Sequence, residues 1–151
     1  MRRVLGWGLL TLFLAVNLSA CASMGSETPA APSLYKRLGG REGIAIVVDD
    51  FTANMAADPR VNARFKDVKP TDLLKFKSNL ADQICDATGG PCSYLGKDMK
   101  AAHKDMRITE AEWDATVENL VKALDKHNVP AQSKQELLGA LGPMKKDIVG
   151  Q

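Results

Sequence analysis

Several features that would narrow the function are scarce in this chain of 151 residues. Aromatic residues make up only 5%, histidine occurs twice and cysteine three times. No CxxC or HExxH pattern is present, so these familiar metal-site spacings are excluded. Three cysteines are too few for a small disulfide-stabilised scaffold. A formal net charge of +2 gives no indication of nucleic acid as a partner.

A long apolar run is also missing. The stretch at residues 4–16 carries no charge, but as a helix it would rise about 20 Å, less than the roughly 30 Å bilayer core. It follows Arg2 and Arg3 and precedes Leu18-Ser19-Ala20-Cys21, which predicts a signal peptide over residues 1–20. The last four residues resemble the bacterial lipobox, in which the cysteine is acylated, so we expect lipidation at Cys21. The alternative is an ordinary secretory signal with an incidental cysteine.

Residues 21–33 are small, polar and proline-containing, and they predict a flexible tether. The folded domain is then 34–151. We expect a lipid-anchored protein of the bacterial cell envelope, and Ala22 favours the outer membrane, facing the periplasm. Loss of the two signal arginines leaves 18 basic and 18 acidic side chains in the mature chain, so the excess of basic residues belongs to the export signal.

The domain itself shows helical periodicity and no convincing alternation of strand type. Apolar residues recur at three- and four-residue spacing over 44–55, 73–84, 113–124 and 137–148. These four stripes predict four main helices, with short turns near 34–38, 60–65 and 98–103. Pro143 is expected to interrupt the fourth helix. The fold class is therefore all-α.

Helix boundaries are marked by recognisable residues. Thr109 with Glu112, and Ser133 with Glu136, have the spacing of capping boxes. Pro70 predicts the start of the second helix. Glycine pairs at 39–40 and 89–90 predict breaks before the first helix and after the second.

The long connection from residue 89 to residue 107 contains His103. Such a connection in a small domain is often functional. A single histidine is ambiguous, but four apolar helical faces could enclose a flat apolar cofactor such as haem, held by one imidazole. His127 ends the third main helix, and we expect it to be exposed there and to interact with the helix dipole.

The sequence resembles the truncated haemoglobins, the short two-over-two globins, and most of all their first group. The resemblance covers residues 33–149 in order. Its most specific features are the two glycine pairs and the G-x-x-M-x-x-x-H run at 96–103. It implies a two-over-two helical sandwich and haem b as the cofactor.

The resemblance also implies roles for individual residues. His103 matches the proximal histidine that ligates the iron, and Phe65 matches a phenylalanine wedged against the haem. Tyr94, Met99, Ile108 and Trp113 match positions that pack on the haem or its proximal side. Phe76, Leu80 and Ile84 lie on the distal helix, over the iron and along the ligand path.

The distal side departs from the family pattern. Many members carry a tyrosine where this chain has Thr52, and glutamine at the position of Leu80 or near that of Phe76. A hydrogen bond to a partly charged ligand contributes roughly 1.5–3 kcal/mol, so its loss speeds oxygen release by about one to two decades. Thr52, Asn79 and Gln83 are possible substitutes. Lys75 or Lys77 could act as a sixth iron ligand, although a solvated helix face is their ordinary interpretation.

Cys85 and Cys92 remain after Cys21 is assigned to lipid. They flank a Gly-Gly-Pro turn that could bring them to disulfide distance, in a compartment that permits oxidation. We predict a disulfide; the alternative is two free thiols, one of them buried.

The function that the resemblance and His103 imply is reversible binding of diatomic gases, namely oxygen, nitric oxide or CO, with oxygen transport among the possible roles. One alternative is nitric oxide dioxygenation or peroxidase-like turnover with an unknown reductase. Another is electron transfer through a haem with a sixth protein ligand. A haem-free interaction protein on a globin scaffold is the fourth.

Overall fold

The computed structural model describes residues 31–151, which are helical and contain no β-strand. The predicted signal peptide, most of the predicted tether and Cys21 lie outside these residues. The α-helices are Leu34–Arg37 (α1), Gly40–Ala57 (α2), Pro70–Ala87 (α3), Met99–Ala102 (α4), Glu110–Lys126 (α5) and Ala131–Leu141 (α6). Two 3₁₀ segments span Asn62–Arg64 and Gly142–Asp147. The predicted all-α class is confirmed.

Helix α2 is the centre of the domain and packs against both α3 and α5. It can do so because its apolar stripe is wide, and every member of the stripe is buried. Leu124 of α5 and Leu137 of α6 complete the same core, at 0% and 1% exposure. The buried members of the α2 stripe are Ile44, Val47, Val48, Phe51 and Met55.

Most of the boundary residues act as predicted. Gly39 precedes α2 with φ of 85°, a left-handed conformation that glycine adopts without steric cost. Pro70 is the first residue of α3, where its missing N–H has no intrahelical partner to lose. Thr109 and Glu112 form both hydrogen bonds of a capping box at the start of α5.

The second predicted capping box is wrong. Helix α6 begins at Ala131, directly after Pro130, so Ser133 lies inside the first turn and is fully buried. Its hydroxyl accepts from Arg37 Nη1 at 3.3 Å, and Glu136 pairs with the same guanidinium. Proline starts a helix without a capping hydroxyl, and the serine and glutamate dock α1 onto α6 instead.

Pro143 ends regular α-helix as expected, since α6 stops at Leu141 and the chain continues as 3₁₀ helix. The last residues then return to the segment before α5, where Gly150 N–H donates to Ile108 C=O at 2.9 Å. Among the described residues, no helix combines the length and apolarity needed to cross a bilayer.

Candidate functional site

His103 lies at the C-terminal end of α4, a helix of one turn, and its ring is partly buried. The turn is fixed at its other end by Asp98, whose carboxylate accepts from Ala101 N–H at 2.8 Å. The imidazole Nδ1 lies 2.8 Å from the carbonyl oxygen of Met99. A carbonyl can only accept, so Nδ1 carries the hydrogen and a neutral ring presents its lone pair at Nε2. This is the arrangement that a metal-ligating histidine requires.

Large apolar side chains are left partly exposed around the turn that precedes α3. Val68 and Phe76 are each 39% exposed, and Met106 is 36% exposed. All three are tied to that turn: Val68 N–H donates to Phe65 C=O, the Phe76 ring meets the Phe65 ring edge-on at 6.2 Å, and Met106 C=O accepts from Arg64. We call Phe65, Val68, Phe76 and Met106 the apolar face. Exposed apolar side chains near one turn offer a surface that a ligand could cover.

Helices α3 and α4 meet next to His103 through Gln83. Its side-chain amide lies 3.3 Å from the Met99 sulfur and 3.4 Å from the Met144 sulfur. Thioethers are weak acceptors, so Gln83 keeps most of its hydrogen-bonding capacity. Sequence reasoning named Gln83 only as a distal substitute and gave no sign of this position between two methionines.

These residues fit a haem. Iron in a haem takes one imidazole nitrogen, which Nε2 of His103 offers. The porphyrin needs apolar partners, which the apolar face and Met99 provide. Among the described residues, no group of three or more histidine, cysteine or acidic side chains offers a competing metal site.

The other residues predicted to contact haem differ in burial. Ile84 belongs to the closed core at 2% exposure, whereas Leu80, Ile108 and Trp113 are half-buried. Tyr94 donates its hydroxyl to Lys97 C=O at 2.7 Å, and burial raises its pKa. That hydrogen bond shapes the loop before α4. The haem contacts of these five residues stay predictions.

The Thr52 hydroxyl, predicted to lie on the distal side, already has a hydrogen-bond partner. Thr52 is 3% exposed, and its hydroxyl donates to Val48 C=O at 2.7 Å, one turn earlier in α2. Asn79 is half-buried on α3. Lys77 pairs with Asp49 of α2 at 2.9 Å, whereas Lys75 is exposed.

Cys85 and Cys92 are joined by a disulfide in the structure, with Cα atoms 5.8 Å apart. Cys85 is fully buried. A Cβ on Gly90 would lie 2.5 Å from its sulfur, so this turn accepts only glycine. Arg41 donates to the Cys92 sulfur at 3.3 Å. The bond fastens the end of α3 to the loop that leads to α4.

The expectation that His127 is exposed at the end of α5 is wrong, because the side chain is half-buried. The side chain is 29% exposed, and its Nε2 lies 2.6 Å from an Asp50 carboxylate oxygen. Lys126 pairs with the same carboxylate, and together the two groups lower the pKa of Asp50. His127 therefore helps to join α5 to α2. Its Nε2, which would otherwise be available to bind a metal, is paired with Asp50.

Two surface hollows are lined neither by His103 nor by any residue predicted to contact haem. One, of about 350 Å³, is lined by residues of α2 and α5, among them Asn119, and by the turn after α2, which contributes Asp58 and Arg60. The other, of about 260 Å³, is lined by Arg37, His127 and their neighbours. Both are open and bordered by charged groups, which does not suit a porphyrin.

Sequence comparison gives an independent assignment. The family described as Bacterial-like globin matches residues 33–149. A group 1 truncated hemoglobin of Mycolicibacterium paratuberculosis is 31% identical over 116 residues, which cover 77% of this chain and 83% of that protein. The group 1 truncated hemoglobin of Tetrahymena pyriformis is 31% identical over 119 residues, covering 79% and 96%.

Solved structures agree. The truncated hemoglobin of Tetrahymena pyriformis in its Fe(III) form superposes with a TM-score of 0.74 at 31% identity, covering 80% of this chain and all of that one. The 2/2 hemoglobin of Synechococcus sp. PCC 7002, with covalently attached heme, superposes with a TM-score of 0.72 at 31% identity, covering 78% and 98%. The predicted two-over-two helical fold is thereby confirmed.

Proposed function

Because this chain belongs to the bacterial-like globin family, and is a haem-binding globin, we propose that it binds diatomic gases reversibly at an iron held by His103. The observation that carries the proposal is the imidazole whose Nδ1 is fixed by Met99 C=O while Nε2 stays free. No other histidine of the sequence competes, since the chain has two and His127 is paired with Asp50.

His103, the Met99 carbonyl and the apolar face each have a separate role in this proposal. His103 binds the iron, and the Met99 carbonyl holds the ring in the tautomer that ligation needs. The apolar face would contact the porphyrin and shield it from water. A haem held in this way would supply an iron that can bind a diatomic ligand.

The distal side favours rapid exchange of ligand. A hydroxyl or amide placed over the iron would retain oxygen by a hydrogen bond, but the Thr52 hydroxyl is used within its own helix. Lys77 is held by Asp49, which leaves the sixth position free of that side chain. We therefore propose that neither Thr52 nor Lys77 retains a bound gas, which favours exchange over prolonged storage.

The test is an equilibrium titration of the reduced, haem-loaded protein with CO and, separately, with nitric oxide under anaerobic conditions. The proposal expects a saturable spectral change that reverses when the gas is removed or exchanged. A reduced protein whose spectrum does not respond to either gas would refute gas binding and favour a six-coordinate electron-transfer protein.

We also propose that the globin is anchored in the bacterial envelope by acylation of Cys21, facing the periplasm. The residues 18–21 support this, and so does a disulfide, which persists in oxidising compartments. Expressed as the full chain in a Gram-negative host, the protein should incorporate labelled palmitate and sediment with outer membranes. The control Cys21→Ser should lose both properties, and equal labelling of the two chains would refute the anchor.

A further inference from the structure

The loop behind His103 is held in a conformation that it would not adopt alone. His103 follows a helix of only four residues, too short to be stable by itself. Asp105 and Arg107 have φ of 64° and 50°, in the left-handed region that residues with a Cβ avoid. Such strain persists only where surrounding groups impose it.

Two groups hold this loop: Arg107 N–H donates to Gln151 C=O, and the Arg64 side chain binds the loop between the two strained residues. Its Nη1 donates to the carbonyl of Met106 at 2.8 Å, in the middle of the strained loop. Its Nε and Nη2 donate to the two carboxylate oxygens of Glu112 at 2.8 and 3.0 Å. Arg64 is 34% exposed and Glu112 only 17%, so water screens this fork less than an ordinary surface pair.

The Glu112 side chain is itself held by hydrogen bonds, because it belongs to the capping box of α5. Its Oε2 accepts from the backbone N–H and the hydroxyl of Thr109, at 2.9 and 3.0 Å. A carboxylate fixed by helix α5 therefore orients the guanidinium, and the guanidinium fixes the loop. Met106 N–H donates in turn to His103 C=O at 3.0 Å, which carries the constraint to the histidine.

Arg64 also stands next to Phe65, whose ring meets Phe76 on α3. One side chain thus connects the segment that carries the apolar face to the backbone behind His103. We propose that Arg64, oriented by Glu112, is a positioning residue that sets the direction of the His103 ring toward the haem. The proposal rests on ligation of the iron by His103.

The test compares Arg64→Gln with a matched control, Arg60→Gln. Arg60 lies four residues earlier, pairs with Asp58 and with Glu118 of α5, and has no contact with the loop behind His103. Two quantities are measured on the haem-loaded proteins: the iron–histidine stretching band in the reduced state, by resonance Raman spectroscopy, and the rate of haem transfer to excess apomyoglobin.

Arg64→Gln should broaden and shift the stretching band and release haem roughly ten- to a hundredfold faster, the usual cost of losing a residue that orients a metal ligand. Arg60→Gln should keep the wild-type band. Arg64→Lys retains the charge without the fork, so it should fall between the two. If Arg64→Gln does not fold, Glu112→Gln replaces it and should change both quantities in the same direction.

A folded Arg64→Gln or Glu112→Gln protein with the wild-type band and haem transfer rate would overturn the proposal, and so would an equal change in Arg60→Gln. Failure of the proposed function is recognised separately, because His103→Ala would then leave the stretching band in place.

Discussion

At the scale of single residues, the distal side is defined by a hydroxyl that is not available. The Thr52 hydroxyl donates to Val48 C=O inside α2. Replacing Thr52 by valine, which has nearly the same shape, should change the oxygen dissociation rate by less than about twofold. Loss of a real hydrogen bond to the ligand, at about 1.5 kcal/mol, would change it roughly tenfold.

Flash photolysis and stopped-flow measurements on Thr52→Val and wild type provide the check. A tenfold faster release from the variant would mean that Thr52 turns toward the ligand when haem is bound, against this account of the distal side. Gln83→Leu is a useful companion, since its amide is held only by two thioethers.

Glu112 gives a pH-dependent contribution to stability. Arg64 and then Thr109 lower its pKa from 4.5 to about 2 in the folded protein. The contribution is therefore complete above pH 4.5 and is lost as the pH falls toward 2. The shift corresponds to at most about 3.4 kcal/mol, and because Arg64 is one-third exposed we expect roughly 1 kcal/mol.

Thermal unfolding between pH 7 and pH 2.5 measures this contribution. Glu112→Gln should be less stable than wild type at pH 6, and the two curves should converge as the pH approaches 2.5. Glu110→Gln removes an exposed carboxylate two residues before Glu112, whose partner is Lys145 on the surface; an exposed pair contributes little, so this variant should run parallel to wild type. A gap that stays constant down to pH 2.5 would argue against the ion pair as its origin.

The residue types in the sequence predicted His103 as a candidate ligand, but not the contacts that hold the loop behind it. A run ending in His103 is visible in the sequence, as is the Thr109–Glu112 capping box. The partnership of Arg64 with Glu112 is not, because 48 residues separate them and neither carries a local signal for the other. His127 was misjudged for the same reason: its partner Asp50 is 77 residues away.

At the scale of the elements, the disulfide ties the end of α3 to the loop before α4. The two cysteines are seven residues apart, and closing so small a loop in the unfolded chain is worth about 2–3 kcal/mol in the chain-entropy model. The double variant Cys85→Ala/Cys92→Ala should lose roughly that much free energy of unfolding.

Urea unfolding with and without a dithiol reductant measures the effect. Reductant should shift the midpoint of the wild type toward that of the double variant and leave the double variant unchanged. If reduction is complete by mass spectrometry and the wild-type midpoint does not move, the disulfide does not stabilise the fold.

Periodicity predicted the four main helices because each presents one apolar stripe to a shared core. It placed the start of α6 wrongly, because Ser133 and Glu136 match a capping box by spacing alone. The helix begins directly after Pro130, and both side chains accept hydrogen bonds from Arg37 instead. Spacing within a segment cannot reveal a partner that comes from α1.

At the scale of the whole molecule, the low aromatic content is explained by the cofactor. Phe51 is buried in the core, while Phe65 and Phe76 meet at its edge beside exposed apolar neighbours. A haem held by His103 would add a flat apolar group to a core that has few aromatic side chains. The sequence alone therefore predicts a small core, and family membership explains what fills it.

Ligation of the haem iron by His103 is tested most directly by absorption spectra. Spectra of the ferric, ferrous and CO-bound states are recorded for wild type, His103→Ala and His127→Ala after haem addition. Wild type and His127→Ala should give the same intense Soret band with a clear CO shift, whereas His103→Ala should lose it or show the spectrum of free haem. A His103→Ala protein with wild-type spectra in all three states would contradict the account.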